Sequence, residues 1–178
     1  RARQPWCLGR RLPDFVLFHG AASHYALSAR TPVVFPRQNP PLLAADAALR
    51  AVHANHGMAS DRDLAEGALA APAVIVEQPA AMPAETLAGL RRHAEGGGAV
   101  LLTGLDLDAP GLFDLAGVSP AAADSRRTNE WTVATGGASH TVRLPVRGLK
   151  PAGASTVLEA RNGSGAALPL LTVRHVGR

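Results

Sequence analysis

Short apolar runs set the rhythm of the first hundred residues. Phe15-Val-Leu-Phe18, Val74-Ile75-Val76 and Ala99-Val-Leu-Leu102 are unbroken and rich in branched side chains, the pattern of parallel strands covered on both faces. Between the last two runs, Leu87, Leu90 and Ala94 recur at helical spacing, while Arg91, Arg92 and Glu95 fall on the opposite face. Pro83 stands at a first helical position, where its missing N–H would be unpaired in any case. Glu85 puts negative charge in the first turn, and Gly96-Gly97-Gly98 supplies a left-handed stop. Residues 73–104 therefore read as strand, loop, helix, glycine stop and strand, which is one βαβ unit.

The remaining pattern is coarser. Leu42, Ala45, Leu49 and Val52 predict a helix over residues 42–56 that ends at Gly57. A short strand at 58–60 and a turn of helix at 63–68 follow. Residues 21–41, with Pro32, Pro36, Pro40 and Pro41, read as a long loop that holds a short extended piece at 31–35. Leu112, Phe113 and Leu115 predict a helix of one or two turns stopping at Gly117. After residue 125 the texture changes to short alternating runs at 131–133, 141–144, 156–158 and 168–176. Glycine, proline and asparagine turns separate them, and Asn162-Gly163 is a hairpin signal. The expected architecture is an α/β sheet followed by a strand-rich part that extends or caps it.

Composition narrows the function classes. At 178 residues the chain fits one domain with a core of ordinary size. The sequence pI is near 10.5, but the formal charge is only +4. Lys150 is the sole lysine among 18 basic residues, and the arginines are scattered. No basic stripe interleaved with aromatics forms, so nucleic acid is not an expected partner. Cys7 stands alone, which rules out an intrachain disulfide and leaves the compartment open. No segment approaches the ~20 apolar residues that span a bilayer, and the first residues carry no apolar run of the signal-peptide kind. A soluble protein without a membrane partner is expected, with the cytoplasm favoured.

Candidate chemistry is sparse. In open α/β sheets, ligands bind at the carboxyl ends of the strands. His19 ends the first strand, Glu77 the third, and Asp106 and Asp108 follow the fourth. These four are the candidate binding residues, as acid–base groups, acceptors for sugar hydroxyls or loose metal ligands. The alternative is that they merely cap helices at solvated strand ends. No metal or cofactor is expected. His53 and His56 lack a completing cysteine or carboxylate pattern and suit a helix C-terminus instead. Asp106-x-Asp108 lacks the further ligands of a calcium loop. Gly96-Gly97-Gly98 follows a helix, whereas phosphate cradles precede one. Ser23-His24 and Ser139-His140 are adjacent pairs, and adjacency in sequence does not make a triad.

Four segments carry a family resemblance: Arg3-Gln-Pro-Trp-Cys7, Pro13-Asp-Phe-Val-Leu-Phe-His-Gly-Ala-Ala-Ser-His-Tyr25, the βαβ block at 73–104, and Leu168-Pro-Leu-Leu-Thr-Val-Arg-His-Val-Gly-Arg178. Together they resemble the glutamine-amidotransferase-like fold, a three-layer flavodoxin-like parallel sheet. More narrowly, they are similar to the beta-galactosidase trimerisation-type accessory domain of multidomain glycoside hydrolases. The resemblance implies a linker at 1–13 leaving a preceding glycosidase barrel, and a domain over 14–178. That domain would have an α/β core at 14–124 and a strand-rich part at 125–178 that stops before a final strand. It also implies a non-catalytic oligomerisation role in carbohydrate metabolism, with the barrel and further copies of the chain as partners. Trp6, Phe35 and Trp131 are the candidate anchors for such contacts. Catalytic members of the fold carry a cysteine in an elbow after the fourth strand, where this chain reads Leu101-Leu-Thr-Gly-Leu105. Thr103 or Gly104 thus occupies a degenerate nucleophile position, and no catalytic residue is assigned. Two alternatives stand beside this reading: a carbohydrate-binding module at the strand-end rim, and a hydrolase or amidotransferase with a non-cysteine site.

Overall fold

The computed structural model describes residues 13–29, 40–69, 71–77, 79, 81–104, 110–121, 128–145 and 148–177. These fall into two compact units that divide between residues 109 and 110, with Gly177 belonging to the first.

The first unit is built on a parallel sheet. Its strands are β1 (Phe15–Phe18), β2 (His56–Ala59), β3 (Ala73–Glu77) and β4 (Ala99–Thr103), in the spatial order β2-β1-β3-β4. All three pairings are parallel, with Val16 opposite Val74 and Val74 opposite Val100. The two central strands carry the core: Val16, Leu17 and Phe18 of β1 and Val74, Ile75 and Val76 of β3 are buried. This is the burial that unbroken β-branched runs require.

Among the described residues, four helices accompany the sheet: α1 (Ala21–Ala29), α2 (Pro40–Ala51), α3 (Asp61–Ala65) and α4 (Ala84–Glu95). α4 follows the predicted segment closely. Pro83 sits one position before the helix, as its N-cap, and Gly96 closes it with Gly97 at a φ of 89°. α3 and α4 touch without an intervening side chain. A Cβ built on Gly89 would fall 1.9 Å from the Leu64 carbonyl oxygen, so only glycine permits the approach. α3 starts from a capping box in which Ser60 and Asp63 satisfy each other's backbone N–H groups. Those bonds to Ser60 hold the Asp63 carboxyl below its usual range.

Three expectations change here. Residues 21–29 form a helix, not a loop. Its first amide is satisfied by Asp61, distant in sequence, so no local cap announces it. The helix predicted over 42–56 runs from Pro40 and stops at Ala51, and Val52 is exposed instead of completing an apolar stripe. His53 then takes a positive φ of 54° and reverses the chain, so β2 starts at His56 and Gly57 lies inside a strand. His56 is accordingly not a helix-terminal charge. Its Nε2 lies 2.8 Å from Asp46 Oδ1 on α2, and its Nδ1 lies 3.1 Å from the Ala54 carbonyl. Asp46 also accepts from Arg50 at 2.9 Å. These bonds lower the Asp46 carboxyl and raise the His56 imidazole.

The second unit begins with α5 (Pro110–Ala116), whose Leu112, Phe113 and Leu115 are buried. β5 (Val118–Pro120) pairs antiparallel with β8 (Leu149–Pro151). β6 (Thr128–Thr135), β7 (Ala138–Pro145), β9 (Ser155–Asn162) and β10 (Ala167–Val173) form an antiparallel sheet in the order β10-β9-β6-β7. Among the described residues, the strand-rich part pairs within itself and adds no strand to the parallel sheet. Gly136 and Gly137, both at positive φ, make the two-residue β6–β7 turn. At the β9–β10 turn, Asn162 Oδ1 accepts from the Ser164 and Ala166 amides at 3.1 and 2.9 Å. One face of this sheet is apolar. Trp131, Val133 and Ala160 are buried there, with Val142, Leu158 and Leu168 packed around them. Trp131 is therefore a core residue with 2 % of its surface exposed, not an anchor for a neighbour. Trp6 and Phe35, the other candidate anchors, lie outside the described residues.

Candidate functional site

The order β2-β1-β3-β4 reverses direction between β1 and β3, and the crevice beyond their carboxyl ends is where this class of sheet holds ligands. The chain places its own groups there. His19 follows β1 and donates its backbone N–H to the Ala59 carbonyl at 2.8 Å. Gly20 comes next because the Phe18 ring folds beneath it: a Cβ at position 20 would lie 2.8 Å from that ring. α1 then starts, and its first amide, Ala21 N–H, donates to Asp61 Oδ2 at 2.7 Å. The other oxygen of Asp61 accepts the Thr86 hydroxyl of α4 at 3.2 Å. Thr86 is fully buried, so this carboxylate joins the starts of α1 and α3 to the first turn of α4. Ser23, also buried, both donates to the Ala81 carbonyl and accepts the Ala81 N–H at 3.2 Å. That pair fastens α1 to the loop that follows β3. Pro79, in the same loop, is fully buried.

The candidate residues divide accordingly. Glu77 and Thr103 are opposite one another at the ends of β3 and β4, and the Thr103 hydroxyl donates to Glu77 Oε2. Gly104 follows with a φ of 56°. His19 makes its ring contact with His24, centroids 5.7 Å apart, and His24 in turn meets the exposed Tyr25 at 6.0 Å. Among the described residues, no hydrogen bond or ion pair joins His19 to Glu77 or to Thr103. His19 Nδ1 is buried without a partner. Asp106 and Asp108 lie outside the described residues. Among the described residues, no cluster of three or more His, Cys, Asp or Glu side chains is arranged to hold a metal, and no helix is long and apolar enough to cross a membrane.

Sequence reasoning located the strand ends but missed Asp61, Ser23 and Thr86. Asp61 belongs to the first turn after the Ser60 cap, a signal visible in the chain. Its bond to Ala21 has no local signal.

No protein-family profile and no curated protein sequence matches the chain. Solved structures do. The exo-beta-1,4-mannosidase Op5Man5 from Opitutaceae bacterium strain TAV5 superposes with a TM-score of 0.67 at 19 % identity, over 94 % of this chain and 30 % of that one. The cold-adapted beta-galactosidase from Rahnella sp. R3 gives 0.71 at 15 % identity, over 99 % and 29 %. A catalytic mutant of Gan42B, a GH42 beta-galactosidase from G. stearothermophilus, gives 0.72 at 14 % identity, over 94 % and 26 %. The chain thus spans less than a third of the length of these proteins. It has the fold of a stretch found within glycoside hydrolases of more than one specificity.

Proposed function

We propose that the chain is a non-catalytic structural and oligomerisation domain of a glycoside hydrolase, of the glutamine-amidotransferase-like, beta-galactosidase trimerisation type. The observation that carries this reading is the self-occupied crevice. Ser23 is bonded to Ala81, Asp61 holds the α1 amide, and Thr103 donates to Glu77 and not to a histidine. A threonine nucleophile needs a base beside it that is oriented in turn by a third group. Among the described residues, no hydrogen bond or ion pair from a third side chain orients Glu77 beside Thr103. The β2-β1-β3-β4 order favours flavodoxin-like layering. The fold neighbours include enzymes described as a mannosidase and as galactosidases, which favours a role indifferent to the sugar. Apolar side chains left exposed on consecutive elements, Leu43 on α2, Val52 after it and Met58 on β2, suit contact with a neighbouring barrel or another subunit.

The test has two parts. The chain is incubated with nitrophenyl β-galactoside, β-mannoside and α-L-fucoside and with glutamine, and no turnover is expected. Light scattering then compares the parent protein with a form lacking residues 13–177, which should lose mass per particle. Turnover that disappears in Thr103→Ala or Glu77→Gln would overturn the proposal. A second reading, sugar binding without turnover, is favoured by one observation: the Tyr25 ring is 72 % exposed beside His24 at the rim. Retention on immobilised galactan or mannan that is lost in Tyr25→Ala would select it.

A further inference from the structure

α2 is held differently from its neighbours α3 and α4. α4 buries Thr86, Gly89 and Leu90, and α3 buries Leu64. Among the described side chains of α2, residues 42–51, none is buried, and the apolar Leu42, Ala45 and Leu49 are only half-covered. Few buried apolar groups mark an element that opens ahead of the rest of a fold. The reversal after α2 falls on His53 at a φ of 54°. A side chain other than glycine holds that backbone state at some cost, and only while its surroundings fix it.

A polar tie from α2 to the sheet runs through one imidazole. His56 starts β2, keeps 12 % of its side chain exposed, and turns both ring nitrogens towards acceptors. Nε2 faces Asp46 Oδ1 of α2 at 2.8 Å, and Nδ1 faces the Ala54 carbonyl oxygen at 3.1 Å. Arg50 donates to the other Asp46 oxygen at 2.9 Å and so steadies the carboxylate. Only the doubly protonated ring donates from both nitrogens. Either neutral tautomer sets a ring lone pair against an oxygen, which replaces one attraction by a repulsion. Asp46 favours the charged ring, and Arg50, on the same helix, opposes it more weakly. Opposite His56 on β1 stands Phe15, which carries no charge. Asp14, whose amide donates to the Asn55 carbonyl at 2.9 Å, and His53 are the other titratable residues of this corner.

We propose that His56 and Asp46 form a pH-sensitive latch: it holds α2 closed on β2 while the ring carries both protons and frees the helix to open when the ring carries one. The folded state raises His56 above 6.5 and lowers Asp46 below 3.8. The latch is therefore complete between those two values and loosens as pH rises through the folded-state value of His56. It fails again only in stronger acid, where Asp46 is protonated. Opening also changes how the exposed Leu43 of α2 lies relative to the exposed Met58 of β2. The inference does not depend on the proposed function.

Amide exchange of the 1–178 chain tests it, expressed as protection factors so that the intrinsic effect of pH cancels. At pH 6 and at pH 9 the amides of Ala47 to Ala51 should be at least about 100-fold less protected than those of Val74 to Val76, the mark of a local opening that leaves the sheet folded. Between the two pH values the α2 amides should lose about 10-fold in protection, the low end of what a hydrogen bond to a charged group contributes. His56→Gln keeps one hydrogen bond but does not titrate, so its α2 protection should be low and flat across the range. Asp46→Asn should bring α2 at pH 6 towards the parent's level at pH 9. Ring ¹⁵N shifts at pH 5.5 should show both His56 nitrogens protonated. Protection of α2 that does not change with pH in the parent would overturn the proposal, as would a pH profile that survives in His56→Gln. Equal protection of α2 and β3 would overturn it too, because α2 would then move only when the whole unit unfolds.

Discussion

Replacing Gly89 by alanine sets two effects of opposite sign against each other. Considered as a helix residue alone, Gly89 is a weakness, and alanine in a helix interior is better by about 1 kcal/mol. The packing argues the other way. The new methyl group would lie 1.9 Å from the Leu64 carbonyl oxygen, 2.5 Å from its carbon and 3.1 Å from the Ala65 nitrogen. Those obstacles are backbone atoms, so no rotamer change relieves the clash, and α3 and α4 must move apart by more than about 1 Å to restore normal contact. The separation loosens Leu64 and Leu90, both buried. Overpacking of this kind costs about 3 kcal/mol at the upper end of its usual range. Subtracting the propensity gain leaves a net loss of about 2 kcal/mol. For a protein of this size that lowers Tm by about 4–8 °C. Urea and thermal unfolding followed by far-UV circular dichroism would read it, with Ala88→Gly on the exposed side of the same helix as the propensity control. That control should lose about 1 kcal/mol. A Gly89→Ala protein as stable as the parent, or more so, would refute the close helix contact.

Further outcomes follow from single interactions. Both ring nitrogens of His56 face acceptors, so the folded state favours the doubly protonated imidazole and raises its pKa above 6.5. Its contribution is complete below pH 6.5 and disappears as pH rises through the folded-state value. The Tm gap between the parent and His56→Gln should therefore shrink from pH 6 to pH 9, and a constant gap would contradict the assignment. Thr86→Val keeps the shape and removes one bond to Asp61, at a cost of about 1 kcal/mol. Asp61→Ala also strands the Ala21 amide and should lose clearly more in the same urea titration; equal losses would mean that Asp61 does not join the two helices. Trp131→Ala empties the centre of the second unit's sheet and should cost about 3–5 kcal/mol, with loss of near-ultraviolet dichroism; an unchanged melt would remove Trp131 from that core.

The parts of the fold legible in the chain are those whose cause is local. β1, β3, β4 and α4 appear within a residue or so of their predicted limits, because unbroken branched runs and a glycine stop declare themselves within a few positions. α1 was hidden because Ala21-Ala-Ser-His-Tyr25 has no apolar period and takes its capping carboxylate from Asp61. The start of β2 was misplaced because Gly57 resembles a helix terminator, while the actual reversal falls on His53. The site followed the same rule. Unbroken apolar runs put His19 and Glu77 at strand ends, and the family resemblance singled out Thr103. Which groups they then engage depends on side chains far away in sequence, and the Ser23–Ala81 fastening joins positions 58 apart.

Asp61 has a consequence for how this scaffold acquires ligands. A helix start of this kind attracts phosphate or carboxylate from solution, and here the protein supplies the counter-ion from its own chain. Guest binding and internal cohesion therefore compete for one position: a relative with a small neutral residue there would trade rigidity for a vacancy, and phosphate added to it should restore part of the lost stability.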